Sequence, residues 1–113
     1  MKIAVTSQNF RTITGHAGKT RRFLIYADDG RGKAVEIDRL DLPREMSMHE
    51  FRGNEHPLQA ARVLITGGCG EGFIRRMAGW GIQVIPTSET DPRAAAQAVL
   101  EGRPLPPPEP HEH

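Results

Sequence analysis

The sequence predicts an α/β domain: a mixed five-stranded sheet in the order 3-2-1-4-5, with helices packed on it. Three observations predict it. From Arg62 to Ile85 a short apolar run, a glycine loop, an amphipathic stretch and a second apolar run read as strand, loop, helix and strand. From Phe23 to Ile37 two apolar runs flank Asp28-Asp29-Gly30-Arg31-Gly32, a strong turn signal, and read as an antiparallel hairpin. Ile3-Ala4-Val5 opens the chain as a strand buried on both faces.

The elements follow in order. After the first strand, Ser7 to Arg22 is polar and too long for a tight hairpin, and long loops in compact domains are often functional. It carries Gly15, His16 and Gly18 and a cluster of cations, Arg11, Lys19, Arg21 and Arg22, which reads either as a solvated loop or as a site for an anion. Phe23 to Tyr26 and Ala34 to Ile37 are the second and third strands. Asp28 and Asp29 between them supply turn geometry rather than acid–base or metal chemistry. Pro43 stops the third strand. Met46, Met48 and Phe51 offer an apolar edge beside His49, and Pro57 suits the first turn of a short helix through Ala61.

Val63-Leu64-Ile65 is the fourth strand. Gly67, Gly68, Gly70 and Gly72 then let the backbone turn sharply and approach a ligand or another element closely. The helix that follows puts Phe73, Ile74, Met77 and Trp80 on one face and Arg75 and Arg76 on another, and Gly79 and Gly81 end it. Ile82, Val84 and Ile85 begin the fifth strand. Asp91 is a good N-cap and Pro92 a good first residue for a last helix, which Gly102 terminates. Residues 1–102 form the domain. The Pro-rich segment 103–113 reads as a disordered or polyproline-like tail, and His111 and His113 in it receive no role.

Composition narrows the function. At 113 residues the chain is one domain with a modest core. Its 15 basic and 14 acidic residues nearly cancel, so no global field points to nucleic acid or a membrane surface. A single cysteine forbids an intrachain disulfide and fits a reducing compartment. No apolar run is long enough for a signal peptide or a membrane span, and the expected location is the cytoplasm.

With right-handed crossovers, the order 3-2-1-4-5 is that of a ribonuclease H-like core. The loops after strands one, three and four then open at the same sheet edge. They carry His16, the segment of His49 and His56, and Cys69, and the topology gathers His16 and Cys69 near one crevice, with Lys19, Arg21 and Arg22 around it. A nuclease of that fold needs acidic residues on its central strands to hold two metals. Ile3-Ala4-Val5 offers none, which excludes nuclease chemistry.

Cys69, just before a helix, reads two ways. Helix N-termini favour anions, which would draw the thiol towards the thiolate that binds metals and attacks electrophiles. Free cysteine also often serves as a small buried hydrophobe in a tight turn. The loop lacks the Lys-Ser/Thr pair of a P-loop and the dinucleotide glycine spacing, so a nucleotide reading is weak.

Six segments together carry a resemblance. They are Ile3-Ala4-Val5, Gly15-His16-Ala17-Gly18, Phe23-Leu24-Ile25-Tyr26, His56-Pro57-Leu58, Leu64-Ile65-Thr66-Gly67-Gly68-Cys69-Gly70 and Gly81-Ile82-Gln83-Val84. In this order and spacing, over roughly residues 1–102, the chain resembles the dinitrogenase iron–molybdenum cofactor-binding family, which includes NifX, NafY and the C-terminal domain of NifB. The resemblance implies a ribonuclease H-like fold and a small carrier, not an enzyme. Such a carrier binds an iron–sulfur cluster or the iron–molybdenum cofactor or its precursors, and hands it on to a cofactor-biosynthesis or recipient metalloprotein, in nitrogen fixation or outside it. The family's His-Phe-Gly is matched by His16-Ala17-Gly18, which makes His16 the first candidate ligand; Ala17 stands where the family has an aromatic residue. Loop chemistry adds Cys69, with Gly68 and Gly70 lining the site, His49 and His56 as further metal candidates, and Lys19, Arg21 and Arg22 as counter-charges for an anionic cluster. The chain acts as a monomer, or as a homodimer bridged by the cluster. Two other readings stand beside this one: a thiol enzyme with Cys69 as nucleophile and His16 as base, and an interaction module with a vestigial pocket.

Overall fold

The computed structural model describes residues 1–109. Five strands, β1 (Lys2–Thr6), β2 (Arg22–Asp28), β3 (Ala34–Asp41), β4 (Val63–Thr66) and β5 (Gln83–Pro86), form one sheet in the order β3-β2-β1-β4-β5. β2 runs antiparallel to its neighbours, and β1, β4 and β5 run parallel. The carboxyl ends of β1, β3, β4 and β5 therefore lie at one edge. The expected fold and strand order are what the chain adopts.

The register explains why the central strands read as unbroken apolar runs. Ala4 stands beside Ile25 and Leu64 on one face, and Val5 beside Leu24 and Ile65 on the other. Both faces are covered. The Ala4 face packs against α1 (Glu71–Gly79) and the segment around Met48, Phe51 and Leu58. The Val5 face packs against Ala95 and Ala96 of α2 (Pro92–Leu100). Strands buried on both sides need apolar residues at every position.

Local chemistry fixes the ends of the elements. The Asp28 carboxylate accepts from the Gly30 and Gly32 amides at 2.7 and 2.8 Å, and Asp29 from Arg31 and Lys33 at 2.7 and 3.2 Å. Those turn amides, Gly32 first, hold the Asp28 carboxyl below its usual range. The Asp91 side chain caps α2 through the Arg93 and Ala94 amides at 3.0 and 3.2 Å. α1 ends with Gly81 at a φ of 75°. There the Gly81 amide reaches Ala78 O and the Ile82 amide reaches Met77 O, both at 2.9 Å, the pattern of a Schellman stop. The short helix at Pro57–Ala60 is 3-10 rather than α.

Two expectations are corrected. On α1, Ile74 is exposed, and Arg76 takes the inward position beside Phe73, Met77 and Trp80. Positions 73, 76, 77 and 80 are the ones that recur on one helical face. The segment after Gly102 is not free of contacts over its first part: Thr87 Oγ1 donates to Pro106 O at 2.7 Å, the Ser88 amide donates to Pro107 O at 3.1 Å, and Leu105 packs on the α2-side core. His111 and His113 lie outside the described residues. Among the described residues no helix is long and apolar enough to cross a membrane.

Candidate functional site

Three loops leave the carboxyl edge of the sheet and lie against one another. The buried Thr6 and Thr66, at the ends of neighbouring strands, start the arrangement. Thr6 Oγ1 lies 2.6 Å from the Thr14 carbonyl and 2.9 Å from Thr66 Oγ1, and the Gly67 amide donates to the same carbonyl at 3.0 Å. The Ala17 amide then donates to Gly68 O at 3.1 Å, and the His49 amide to Gly18 O at 2.7 Å. These bonds bind the β1, β3 and β4 loops into one backbone unit.

The close approach is what Gly67 provides. A Cβ there would stand 3.2 Å from the Thr14 carbonyl carbon and 3.3 Å from the Gly15 nitrogen. His16 sits at a φ of 54°, in the left-handed region where a side chain costs about 1 kcal/mol or more. Its carbonyl accepts from the Lys19 and Thr20 amides at 2.9 and 3.1 Å, and this tight turn holds the strained residue.

The loops enclose a cleft of about 440 Å³, lined by His16, Ala17, Gly18, Lys19, His49, Gly68, Cys69 and Gly70. His16, Lys19 and His49 are exposed, Cys69 is half-buried, and Ala17 is fully buried beneath them. Among the described residues no acidic side chain lines the cleft. α1 begins here with Gly70 as its cap, so no cap side chain occupies its first-turn amides. Free amides and the helix dipole add positive potential to Lys19. Burial pushes the Cys69 thiol up, away from the thiolate. Of the two readings of Cys69, this shift favours the small, partly buried residue in a tight turn.

The structure sorts the predicted residues. His16, His49, Cys69, Lys19, Gly68 and Gly70 meet at the cleft. Arg21 lies in an adjoining concavity. Arg22 lines neither; it pairs with Asp41 at 3.4 Å, donates to Gln8 O at 3.2 Å and stacks over Phe10. Consecutive residues entering a strand point to opposite faces, which parts Arg22 from Arg21.

His56 is no ligand. Its Nδ1 accepts from the Leu58 amide at 3.1 Å and its Nε2 meets Met46 O at 2.7 Å, so neither ring nitrogen is left for a metal. The ring is buried against Trp80 and Phe51. Burial, with Arg76 nearby, pulls its basicity down and keeps the imidazole neutral. Among the described residues no three His, Cys, Asp or Glu side chains stand close enough together to hold a metal ion.

Sequence reasoning missed Arg76. Its guanidinium donates to Met48 O and Phe51 O, both at 2.7 Å, and so fastens the segment that carries His49. The signal was present: Arg76 lies three residues after Phe73 on the buried stripe.

The fold recurs in several solved structures, PH0822 and TM1290 among them. PH0822, known from a crystal structure, superposes with a TM-score of 0.69 at 18% identity, over 91% of this chain and 93% of its own. TM1290 from Thermotoga, an NMR structure provisionally described as a NifB protein of the DUF35 family, superposes with a TM-score of 0.57 at 14% identity, over 99% and 97%. At such identities the likeness shows the fold alone. No curated protein matches the chain in sequence. The family model described as "Dinitrogenase iron-molybdenum cofactor" matches residues 1–102, nearly the whole chain. On that match, the chain belongs to the dinitrogenase iron–molybdenum cofactor family.

Proposed function

We propose that the chain is a carrier that holds an iron–sulfur or iron–molybdenum-type cluster in the 440 Å³ cleft and passes it to a cofactor-assembly or recipient metalloprotein in the cytoplasm. One observation carries this reading: three loops bring His16, His49 and Cys69 to a single cleft that no carboxylate lines among the described residues. His16 is the first ligand, with His49 or Cys69 as the second. Lys19 and the first-turn amides of α1 offset the negative charge of the cargo. The open, sparsely liganded cleft suits cargo that must leave again. The shortage of donors is met by cargo that brings its own sulfides, or by a second chain sharing the cluster. The raised thiol of Cys69 argues against the thiol-enzyme reading, because a nucleophile needs the opposite shift.

The test is anaerobic reconstitution with iron and sulfide, read by visible absorption and metal per chain. Wild type is compared with His16→Ala, His49→Ala and Cys69→Ser, and oligomeric state is followed by size exclusion. Stoichiometric uptake that is lost in His16→Ala supports the reading. Uptake unchanged in all three variants removes the site. If wild type takes up nothing from iron and sulfide, transfer of a preformed molybdenum-containing cargo from a donor protein decides; failure there too ends the carrier reading.

A further inference from the structure

A second concavity, of about 620 Å³, adjoins the cargo cleft. It is lined by Lys19, Arg21, Arg44, Ser47, His49 and Glu50, and Lys19 and His49 also line the first. Its charge is unbalanced, with three permanent cations facing one carboxylate. Three ion pairs form among the described residues, Arg22 with Asp41, Arg39 with Glu36 and Arg103 with Glu101, and none of them reaches this concavity. Among the described residues, Lys19, Arg21 and Arg44 enter no ion pair. Ser47 also lines this concavity, and its hydroxyl, which makes no hydrogen bond among the described residues, is open to solvent there.

Three cations held around one hollow repel one another, and bound negative charge relieves that repulsion. Guanidinium forks match the paired oxygens of carboxylates and phosphates, and a serine hydroxyl supplies a neutral donor to the same oxygens. Glu50 is the one group on the wall that opposes an anion. With it counted, the lining carries a net charge of +2 (three cations less one carboxylate), which a monovalent anion leaves half-compensated. The volume lies in the usual range for small-molecule sites.

We infer that this basic cleft binds a small multivalent oxyanion, a polycarboxylate or a phosphate, through Arg21, Arg44 and the Ser47 hydroxyl. The inference stands apart from the cargo reading, since its test uses the chain with no metal added.

The full chain is titrated by isothermal calorimetry with citrate and, separately, with inorganic phosphate, at constant ionic strength. Acetate serves as the monovalent control. The expected result is saturable one-to-one binding of a multivalent anion and none of acetate; the tighter of the two arms identifies the source. Arg21→Gln and Arg44→Gln each weaken it by roughly tenfold, the effect of losing a charged hydrogen bond. Arg93→Gln, across the sheet on α2, removes the same charge and leaves affinity unchanged. Neither Arg21 nor Arg44 is ion-paired, so both variants fold, which thermal unfolding checks. The inference is overturned by the absence of saturable binding in both arms, by acetate binding equally well, by equal weakening in Arg93→Gln, or by affinity that survives the Arg21→Gln/Arg44→Gln double change.

Discussion

The amide of Ala17 donates to the carbonyl of Gly68 at 3.1 Å, tying the residue after His16 to the residue before Cys69. The two candidate ligands come from loops far apart in the chain, and their spacing is set by backbone contact. That contact depends on Gly67, whose missing Cβ admits the Thr14–Gly15 peptide. The neighbours a Cβ would meet are backbone atoms, which cannot rotate away. Gly67→Ala is therefore expected to cost about 1–3 kcal/mol, the usual penalty of overpacking. Gly70→Ala, where nothing lies within 4 Å, is expected to change stability by less than about 1 kcal/mol. Urea unfolding of the two variants checks this pair, and cluster uptake should fall in the first.

Arg76 acts through another residue. Its two 2.7 Å bonds to Met48 O and Phe51 O hold the segment whose next residue after Met48 is His49. Arg76→Met keeps much of the packing over Phe51 and Trp80 but removes both bonds, and should cost about 2 kcal/mol. Arg76→Lys should recover only part of the loss, because an ammonium cannot reproduce the fork. Hydrogen exchange at the His49 amide, which bonds Gly18 O, is the discriminating readout. It should quicken in both variants, and an unchanged rate would show that the segment holds itself.

Cys69 is expected to react slowly with alkylating agents. Burial raises its pKa above the ordinary thiol value, so less thiolate is present at neutral pH than in an unfolded chain. The rate of iodoacetamide modification against pH should rise with a midpoint above that of the same protein in urea. A midpoint below the unfolded one would restore the thiol-enzyme reading.

The fold was legible because each element's signal agreed with its packing. The unbroken apolar runs of β1, β2 and β4 reflect burial on both faces, and Asp28–Gly32, Asp91-Pro92 and Gly102 carry their own turn and cap chemistry. That the loops of His16 and Cys69 open at one edge followed from strand direction; that His49 joins them depends on how its segment packs. What stayed hidden depends on side-chain contacts. His56 reads as a ligand until its two ring nitrogens are seen to be occupied, and nothing in His56-Pro57-Leu58 announces the carbonyl of Met46. Arg22 and Arg21 read alike in sequence and part only through the alternation of β2. The direction of the Cys69 shift likewise depends on how deeply the thiol sits, which the sequence does not show.

His56 gives the chain an acid limit. In the folded state the neutral ring accepts from the Leu58 amide at Nδ1 and packs on Trp80 with Arg76 close by, so protonation removes an acceptor and buries a charge beside another. Its folded pKa lies below the ordinary histidine value of about 6.5. Between the two pKa values the unfolded chain binds a proton that the folded chain does not, so stability must rise with pH there. The contribution is complete above the unfolded pKa and is lost as pH falls from it through the folded pKa. The slope reaches at most one proton, about 1.4 kcal/mol per pH unit. His56→Asn keeps a side chain that favours the N-cap position but does not titrate. It should be less stable than wild type at neutral pH, through lost stacking on Trp80, and should show a shallower fall in stability below about pH 6.5. Denaturation midpoints of both proteins across the acid range give the difference directly, and parallel curves would assign the acid sensitivity to other groups.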